Sequence, residues 1–328
     1  MNSESVFSTT VGRHKLTIAT GKLAEQAGAA VTLQVGESLL LATATMSKNI
    51  REGLDFFPLS VDFEEKMYAA GRIPGGFFRR EGKPTTEAVL TSRLTDRPLR
   101  PLFPDGMRNE VQVIVTTLSS DSIHLLDIMS VNAASAALTI SDVPWNGPIG
   151  AVRVGYIDGQ FVVDPTVEEM AESQLDLRMA GSRDAIIMVE ASANEVPEET
   201  MVRALAFGHE ALQPIITLLE EMRAAVGKVK REPTIAAPDA ALAEATKGRI
   251  GGRIADVIAT TTEREDRNEA LDALRDEVVD SFLADDETTD PKAVREAFAA
   301  EIKKAVRHRI RQMIDAELDE TRQEALLL

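Results

Sequence analysis

The chain has 328 residues and no cysteine, which excludes disulfide bonds and thiolate metal sites. Aromatic residues make up only 4% of the sequence against a hydrophobic fraction of 44%, so the core must be mainly aliphatic. The four histidines are scattered without any H-x-x-x-H spacing, which argues against a histidine metal site. The sequence has no window of about 18 consecutive apolar residues and no apolar signal segment at its start. We therefore expect a soluble, cytoplasmic protein that spans no membrane and has no metal site of its own.

Positive charge is scarce overall but concentrated in one stretch. The formal net charge is −17, yet the segment from Arg72 to Arg100 contains seven basic and three acidic residues. A basic island on an acidic protein indicates a local site for a polyanion.

The first half of this stretch, residues 69–84, is predicted to be a loop, because it holds four glycines and two prolines. Two aromatic rings and two guanidinium groups stand in its middle: Phe77, Phe78, Arg79 and Arg80. Rings can stack on bases and guanidinium groups can pair with phosphates, so this loop is a candidate site for single-stranded nucleic acid. The competing interpretation places both rings partly in the core, and the sequence leaves the two open.

The second half is predicted to be a helix that begins after Pro84, with Thr85 or Thr86 as its cap. Leu90 and Leu94 form an apolar seam at i, i+4. Three arginines share another face at i, i+4 and i+7: Arg93, Arg97 and Arg100. They are candidates for binding nucleic-acid phosphates, and the alternative is a solvated or salt-bridged face.

Two long strings in this region resemble polynucleotide phosphorylase, and in particular the first of that family's two ribonuclease PH-like cores. They are GRIPGGFFRREGKP at 71–84 and LTSRLTDRPLRPLFP at 90–104. Shorter strings at 55–59, 109–113 and 146–150 fit the same family. The resemblance covers about residues 10 to 310.

The pattern along the first 226 residues is that of an α+β domain. Strands are predicted at 15–19, 29–35, 39–46, 57–63 and 110–118, a buried helix at 125–140, hairpins around 158–159 and 181–184, and a long helix at 198–226. The resemblance implies a ribonuclease PH-like (ribosomal protein S5 domain 2-like) core here.

A change of pattern follows. Residues 227–238 have the composition of a linker, and helical periodicity then continues to about residue 325 in three segments, 240–258, 262–283 and 291–325. We expect two domains, the core at 1–232 and a small all-α domain at 238–328, which resembles the family's helical domain.

The resemblance also implies an activity. Family members degrade RNA from its 3′ end with inorganic phosphate as co-substrate, and they need a divalent metal, Mg²⁺. Their second core supplies a serine-rich phosphate cradle and a D-x5-D-x-K pattern. The corresponding positions here are Ser130, Met170, Asp176 and Arg178. One serine and one carboxylate do not reproduce that site, so we expect no catalytic residue in this chain and a structural role for Asp176.

The family's second core and its KH and OB-type domains do not follow within these 328 residues, and residues 315–328 depart from the family pattern. A truncated product, a gene fragment and a split subunit all remain open. The resemblance implies single-stranded RNA as partner, a homotrimeric ring, and Mg²⁺ held by a second core, for which a separate chain is one possible source. Two rival hypotheses are a stand-alone, non-catalytic RNA-binding module of an exosome-like ring and a protein-docking role for the helical domain.

Overall fold

The computed structural model describes residues 4–51, 56–75, 81–235 and 240–327, with side chains up to residue 316. The chain divides into two compact units, Met1–Ile235 and Ala236–Leu328. The first unit is mixed α+β and the second is helical, as the sequence pattern predicts.

The first unit opens with a sheet in the order β1-β2-β3-β4-β6-β5, counted over its described residues. The bounds are β1 Ser5–Val11, β2 His14–Thr20, β3 Ala29–Val35, β4 Ser38–Ile50, β5 Leu59–Glu64 and β6 Asn109–Ser119. β5 runs parallel to β6, and the other neighbours are antiparallel. β1 was not predicted, because its polar serines and threonines weaken the strand signal, although their alternation is visible in its burial.

Helix α1, Thr86–Leu99, lies between β5 and β6 in the sequence and packs on β5. This crossover allows the two strands to run parallel. Ser92 joins helix and strand directly, because its Oγ accepts the Phe63 amide at 2.9 Å. The connection places the arginines of α1 along one edge of the sheet.

Helix α2, Leu126–Ile140, is the centre of the core and is buried from Ile128 to Ile140. It packs against β3 and β4 and against the second sheet. Two of its polar side chains bond the backbone around the start of strand β7, Gly150–Ile157. The Asn132 amide bonds both backbone groups of Ala151, at 2.9 and 2.8 Å, and Ser135 Oγ bonds both backbone groups of Ile149. These polar groups are therefore anchors of the core.

The second sheet has the order β10-β9-β7-β8. Its remaining strands are β8 Gln160–Val163, β9 Leu175–Gly181 and β10 Ile186–Ala193, with a short helix α3, Val167–Ala171, between β8 and β9. Both predicted hairpins are confirmed by the antiparallel pairs β7–β8 and β9–β10. The first turns on Asp158 and Gly159, both at positive φ, the conformation that favours these residues.

The prediction of a single helix at 198–226 is wrong. The structure has two helices, α4 Glu198–Ala211 and α5 Gln213–Val226, which meet at Leu212. Pro214 stands in the first turn of α5, where its missing amide hydrogen costs nothing. In a continuous helix that proline would have interrupted the hydrogen-bond ladder.

The composition of residues 227–238 suggested a linker. Up to residue 235, however, this segment is bonded to the first unit. Lys230 Nζ donates to three carbonyls at the end of α2: Leu138, Thr139 and Ser141, at 2.7, 3.1 and 2.8 Å. Arg231 pairs with Asp142 at 3.0 Å, and Thr234 donates its amide to Asn109. Burial lowers the pKa of Lys230 to about 8. The basic residues of this segment therefore fasten it to the first unit.

The helical unit consists, over its described residues, of α6 Ala240–Ile250, α7 Arg253–Thr260, α8 Arg264–Asp285 and α9 Pro291–Leu327. The first helix predicted here is split, because Gly251 takes a positive φ of 58° between α6 and α7. The start of α9 is confirmed, and Asp290 accepts the Lys292 amide there at 2.9 Å. Glu263 is the N-cap residue of α8, and its side chain makes no capping hydrogen bond. A small apolar cluster around Val278, Val294 and Phe298 forms the core of this unit.

Across the part of the chain that the structure describes, no helix is both long enough and apolar enough to cross a membrane.

Candidate nucleic-acid interface

The glycine-rich loop is described on both sides of its middle, and its two ends are tied together. A short 3₁₀ turn, Met67–Ala70, ends at Gly71 with φ 66°. Glu81 on the far side accepts the Met67 amide at 2.7 Å. Phe77, Phe78, Arg79 and Arg80 lie outside the described residues, so their predicted role in RNA binding stays a prediction.

Helix α1 begins as the sequence predicts. Thr85 is its N-cap residue, and its Oγ1 accepts the Ala88 amide at 3.0 Å. Leu94 is buried at 5% exposure, but Leu90 is 59% exposed, so the predicted apolar seam holds at one of its two positions only. Leu90 instead lines a large groove beside the helix.

This groove, which we call the α1 groove, lies between α1, β5, the start of α2 and the strands β7, β9 and β10, with a volume of about 1310 Å³. All three predicted arginines of α1 line it, as do Arg153 and Arg178. Five carboxylates line it as well: Glu65, Glu87, Asp96, Asp127 and Glu190. Asp127 and Glu190 come from distant parts of the chain, and together with the nearer carboxylates they offset the basic island that the local sequence shows.

The three arginines of α1 differ in what they contact. Arg100 forms a bidentate salt bridge with Asp96, with hydrogen bonds of 2.7 and 2.9 Å. It also donates to the carbonyls of Phe57 and Leu59. Arg97 pairs with Glu190 at 3.1 Å. Arg93 is exposed and has no partner among the described residues.

Arg93 also has a distinct position. It lines both the α1 groove and a second groove of about 890 Å³ beneath the described ends of the glycine-rich loop. It is therefore the α1 arginine best placed to bind an incoming phosphate.

The inner end of the α1 groove holds an ion-pair network that we call the Arg153 cluster: Asp127, Arg153, Asp176, Arg178 and Glu190. Arg153, only 4% exposed, donates to Asp176 at 2.8 Å and to Asp127 at 2.9 Å. Arg178 donates to Asp176 at 2.8 Å and to Glu190 at 3.1 Å. Since Glu190 also pairs with Arg97, the network runs unbroken from α1 to the start of α2.

The structure places the residues that correspond to the family's catalytic pattern in different surroundings. Both carboxylate oxygens of Asp176 accept from arginines. Ser130 is fully buried, and its hydroxyl lies 3.0 Å from that of Thr95. Met170 belongs to α3 and does not line the α1 groove.

This arrangement does not fit a divalent cation. Mg²⁺ binds through free carboxylate oxygens, but both oxygens of Asp176 and Oδ2 of Asp127 accept from guanidinium groups, and Oδ1 of Asp127 accepts the Ile128 amide. Among the described residues no group of three or more histidine or acidic side chains could hold a metal ion.

A second polar chain supports the start of α2. His14 and His124 approach to 3.3 Å between Nδ1 and Nε2, and His124 Nδ1 lies 2.7 Å from Asp121. Burial lowers the pKa of His14. The neighbouring Asp164 is also buried, which raises the pKa of its carboxyl group to about 6. These groups fix the loop that leads into α2 and so position Asp127.

Sequence reasoning missed the central residue of this site, Arg153, and also Glu190, which pairs with Arg178 and Arg97. A usable signal existed for Arg153, which interrupts an otherwise apolar strand, since a charge in such a strand needs a buried partner. Glu190 carried no comparable signal, because it lies in the exposed part of an edge strand, where a charged side chain needs no buried partner.

Family models match most of the chain. The 3′ exoribonuclease family, domain 1, matches residues 13–144, and domain 2 of the same family matches residues 147–211. The RNA binding domain of polyribonucleotide nucleotidyltransferase matches residues 241–313. The chain belongs to the 3′ exoribonuclease family, with a ribonuclease PH-like core followed by a helical segment.

Within that family its similarity is to polyribonucleotide nucleotidyltransferase. The chain is 49% identical to that enzyme of Roseiflexus castenholzii over 91% of its own length and 40% of the relative. It is 44% identical to the enzyme of Dehalococcoides mccartyi over 94% of its length and 42% of the relative. It thus spans about two fifths of these relatives. A crystal structure of rice (Oryza sativa) Rrp46 matches with TM-score 0.49 and 15% identity, covering 67% of this chain and 94% of that one.

Proposed function

We propose that this chain is part of a phosphate-dependent 3′-to-5′ exoribonuclease, a polyribonucleotide nucleotidyltransferase that degrades mRNA in the cytoplasm. In this proposal residues 1–232 form a core that guides RNA without cleaving it. Residues 238–328 form the helical domain. The named relatives and the matching family models support the activity class.

The observation that carries the non-catalytic role is the Arg153 cluster. Arg153 and Arg178 occupy the carboxylates of Asp127 and Asp176, where a phosphorolytic site would need them free for a metal. Mg²⁺ and the phosphate co-substrate then belong to a second core, which is supplied either by a longer form of this polypeptide or by another chain. A homotrimeric ring of such pairs of cores is the assembly that we propose.

Single-stranded RNA is the proposed ligand. Phe77 and Phe78 stack on bases while Arg79 and Arg80 pair with phosphates at an aperture of the ring. Each stacked base contributes roughly 1–3 kcal/mol to binding. Arg93 continues this path along α1, because it is exposed and lies where the two grooves meet.

Phosphorolysis of poly(A) by the purified chain, with Mg²⁺ and phosphate, tests the proposal through release of ADP. We expect no ADP from the chain alone, retention of RNA on a filter, and phosphate-dependent ADP release once a second-core polypeptide is added. ADP released by the chain alone would contradict the non-catalytic role.

A second candidate function is a stand-alone, non-catalytic RNA-binding module of an exosome-like ring, which the Arg153 cluster also favours. The same assay separates the two. RNA binding without any ADP release after the second core is added would favour this alternative.

The loop has its own test. The double variant Arg79→Ala with Arg80→Ala is expected to bind RNA more weakly and to reduce the salt slope of binding by about 1.4 for two lost phosphate contacts. An unchanged slope would contradict the placement of RNA on this loop.

A further inference from the structure

The second groove has an apolar inner wall. It is about 890 Å³ in volume and is lined by parts of α1, of strand β5 and of the turn Met67–Ala70. Phe63, Ala69 and Ala88 line it and are each at most 8% exposed. Pockets for small organic ligands have volumes of roughly 300–1,000 Å³ and mainly apolar walls. The groove therefore has the size and the lining of a ligand pocket.

Thr117 of β6 adds one polar group to this wall. It lines the groove and is only 3% exposed, and its hydroxyl has no hydrogen-bond partner among the described residues. A buried hydroxyl left unpaired lowers the stability of a protein, and the great majority of buried polar groups are paired. The wall thus contains an unused hydrogen-bonding group.

The rim of the groove carries four carboxylates and four basic side chains, and the two sets differ in their partners. Each carboxylate accepts a hydrogen bond from a described group: Asp62 from Ser60, Glu64 from Lys66, Glu65 from Thr85 and Glu81 from the Met67 amide. Among the basic residues, the side chains of Arg72, Lys83 and Arg93 are exposed and have no partner in the described part of the chain. The charged groups left free on this rim as donors are therefore cations.

An apolar wall below unpaired cations fits a nucleotide. A base has two apolar faces and a polar edge, while guanidinium and ammonium groups bind phosphates. Inorganic phosphate alone would leave the wall unused, and an apolar ligand would leave the three cations unused. A nucleotide uses both parts of the groove.

We propose that the second groove binds one nucleotide, with its base against the apolar wall and its phosphates on Arg72, Lys83 and Arg93. Thr117 turns about χ1 to another staggered rotamer, and its hydroxyl then bonds the edge of the base. Because a hydroxyl both donates and accepts, this contact accommodates any of the four bases. The nucleotide comes either from an RNA strand or from solution as a nucleoside diphosphate. The inference rests on the proposed function for the choice of nucleotide chemistry, but its site includes none of residues 77–80.

The first test is equilibrium dialysis of the full chain against ADP, adenosine and pyrophosphate. Adenosine and pyrophosphate each lack one half of the contacts, and we expect each to bind at least about tenfold more weakly than ADP. Lys83→Met is expected to weaken ADP binding, whereas Lys15→Met, which removes an exposed lysine of β2, is the matched control and should not. Pyrophosphate that binds as tightly as ADP would overturn the role of the apolar wall.

Thr117→Val is the decisive variant, because valine keeps the shape of threonine and removes only the hydroxyl. We expect affinity for ADP to fall about fivefold, the effect of one lost hydrogen bond. The free protein should meanwhile unfold at a higher urea concentration, since the unpaired hydroxyl is gone. The control is Thr32→Val on β3, because Thr32 lines neither groove. A Thr117→Val chain with wild-type affinity for ADP would overturn the proposal.

Poly(A) distinguishes the two sources of the nucleotide. If the RNA strand supplies it, poly(A) displaces ADP, and Thr117→Val weakens the binding of both. If the groove takes free nucleotides, ADP stays bound in the presence of saturating poly(A).

The double variant Arg79→Ala with Arg80→Ala separates this inference from the proposed RNA path. We expect it to bind RNA more weakly and to retain its affinity for ADP. Loss of ADP binding in this double variant, with none in Thr117→Val, would assign ADP to the loop and overturn the proposed pocket.

Discussion

Arg153 and Arg178 lie directly opposite each other in the register of β7 and β9, and Asp176 accepts a hydrogen bond from each of them. Like charges directly opposite each other destabilise a strand pair. The carboxylate of Asp176 is therefore needed to hold the two arginines at these positions. Glu190 extends the same row onto β10, where it lies opposite Arg178. The end of the α1 groove is thus closed by charges that the strand register brings together.

Replacing Asp176 tests this structural role. Asp176→Ala leaves two arginines facing each other without their shared acceptor, and we expect unfolding to become easier by about 3 kcal/mol. Urea denaturation followed by fluorescence of the single tryptophan, Trp145, reports on the first unit, because Trp145 is buried there and bonds the Leu99 carbonyl.

The matched control for Asp176→Ala is Glu220→Ala, which removes an exposed ion pair with Arg183. Exposed pairs contribute less than about 1 kcal/mol. If the two variants lose the same small amount of stability, the carboxylate of Asp176 is dispensable to the fold and its role must be sought in binding.

The arginines of α1 are expected to separate by function. Arg93→Ala should weaken binding of single-stranded RNA and lower the salt slope by about 0.7, since one phosphate contact is lost, with no change in stability. Arg97→Ala should instead destabilise the contact of α1 with β10, because it leaves one oxygen of Glu190 and the Val189 carbonyl without the donor from Arg97. Filter binding at several salt concentrations, together with urea denaturation, measures both effects. Equal loss of RNA affinity in the two variants would show that the ion pair opens on binding.

Local signals in the sequence were sufficient for much of the fold. The cap at Thr85, the turn at Asp158 and Gly159 and the apolar run of α2 each depend on residues close in sequence, and all three are found. Helix breaks were harder to predict. The apolar stripe of 198–226 continues in phase across Leu212, although Pro214 was a visible warning.

The site was less predictable for a physical reason. Arg153 pairs with Asp127, which is 26 residues away in the sequence, and Arg97 pairs with Glu190, which is 93 residues away. A local sequence pattern cannot predict pairs at such separations. A count of charge along one stretch therefore predicted a basic island. The folded groove is lined by equal numbers of arginines and carboxylates among its described residues.

The segment that follows α5 offers a further test. Lys230→Met removes the ammonium group that serves three carbonyls at the end of α2. Buried carbonyls left without a donor, and the loss of a positive charge at a helix C-terminus, should together cost about 2–3 kcal/mol. Tryptophan fluorescence in urea measures the change.

Lys228→Met is the control for that variant, because Lys228 is exposed and its Nζ donates to one carbonyl, that of Gly28. We expect it to lose less than half as much stability. Comparable losses would mean that the segment contributes through its backbone path and not through the capping of α2.

Asp164 makes the stability of the first unit depend on pH. Burial raises its pKa to about 6, whereas an unfolded aspartate titrates near about 3.9. Its contribution to stability is therefore fully present below about pH 4 and is lost as the pH rises through 6.

Asp164→Asn retains an oxygen that can accept the Arg153 amide, at 2.7 Å in the wild type, without a charge to bury. Asparagine also tolerates the positive φ of 46° at this position.

We expect Asp164→Asn to be more stable than the wild type at pH 8 by up to about 3 kcal/mol, the equivalent of the pKa difference. The advantage should shrink as the pH falls from 7 towards 4, because the wild-type carboxyl then takes up its proton in the folded state. His14, whose pKa is lowered by burial, has the opposite pH dependence, but it is present in both proteins and cancels in the difference. Urea denaturation at intervals between pH 4 and pH 8 measures that difference. A gap that stays constant over this range would show that the carboxyl of Asp164 does not titrate there.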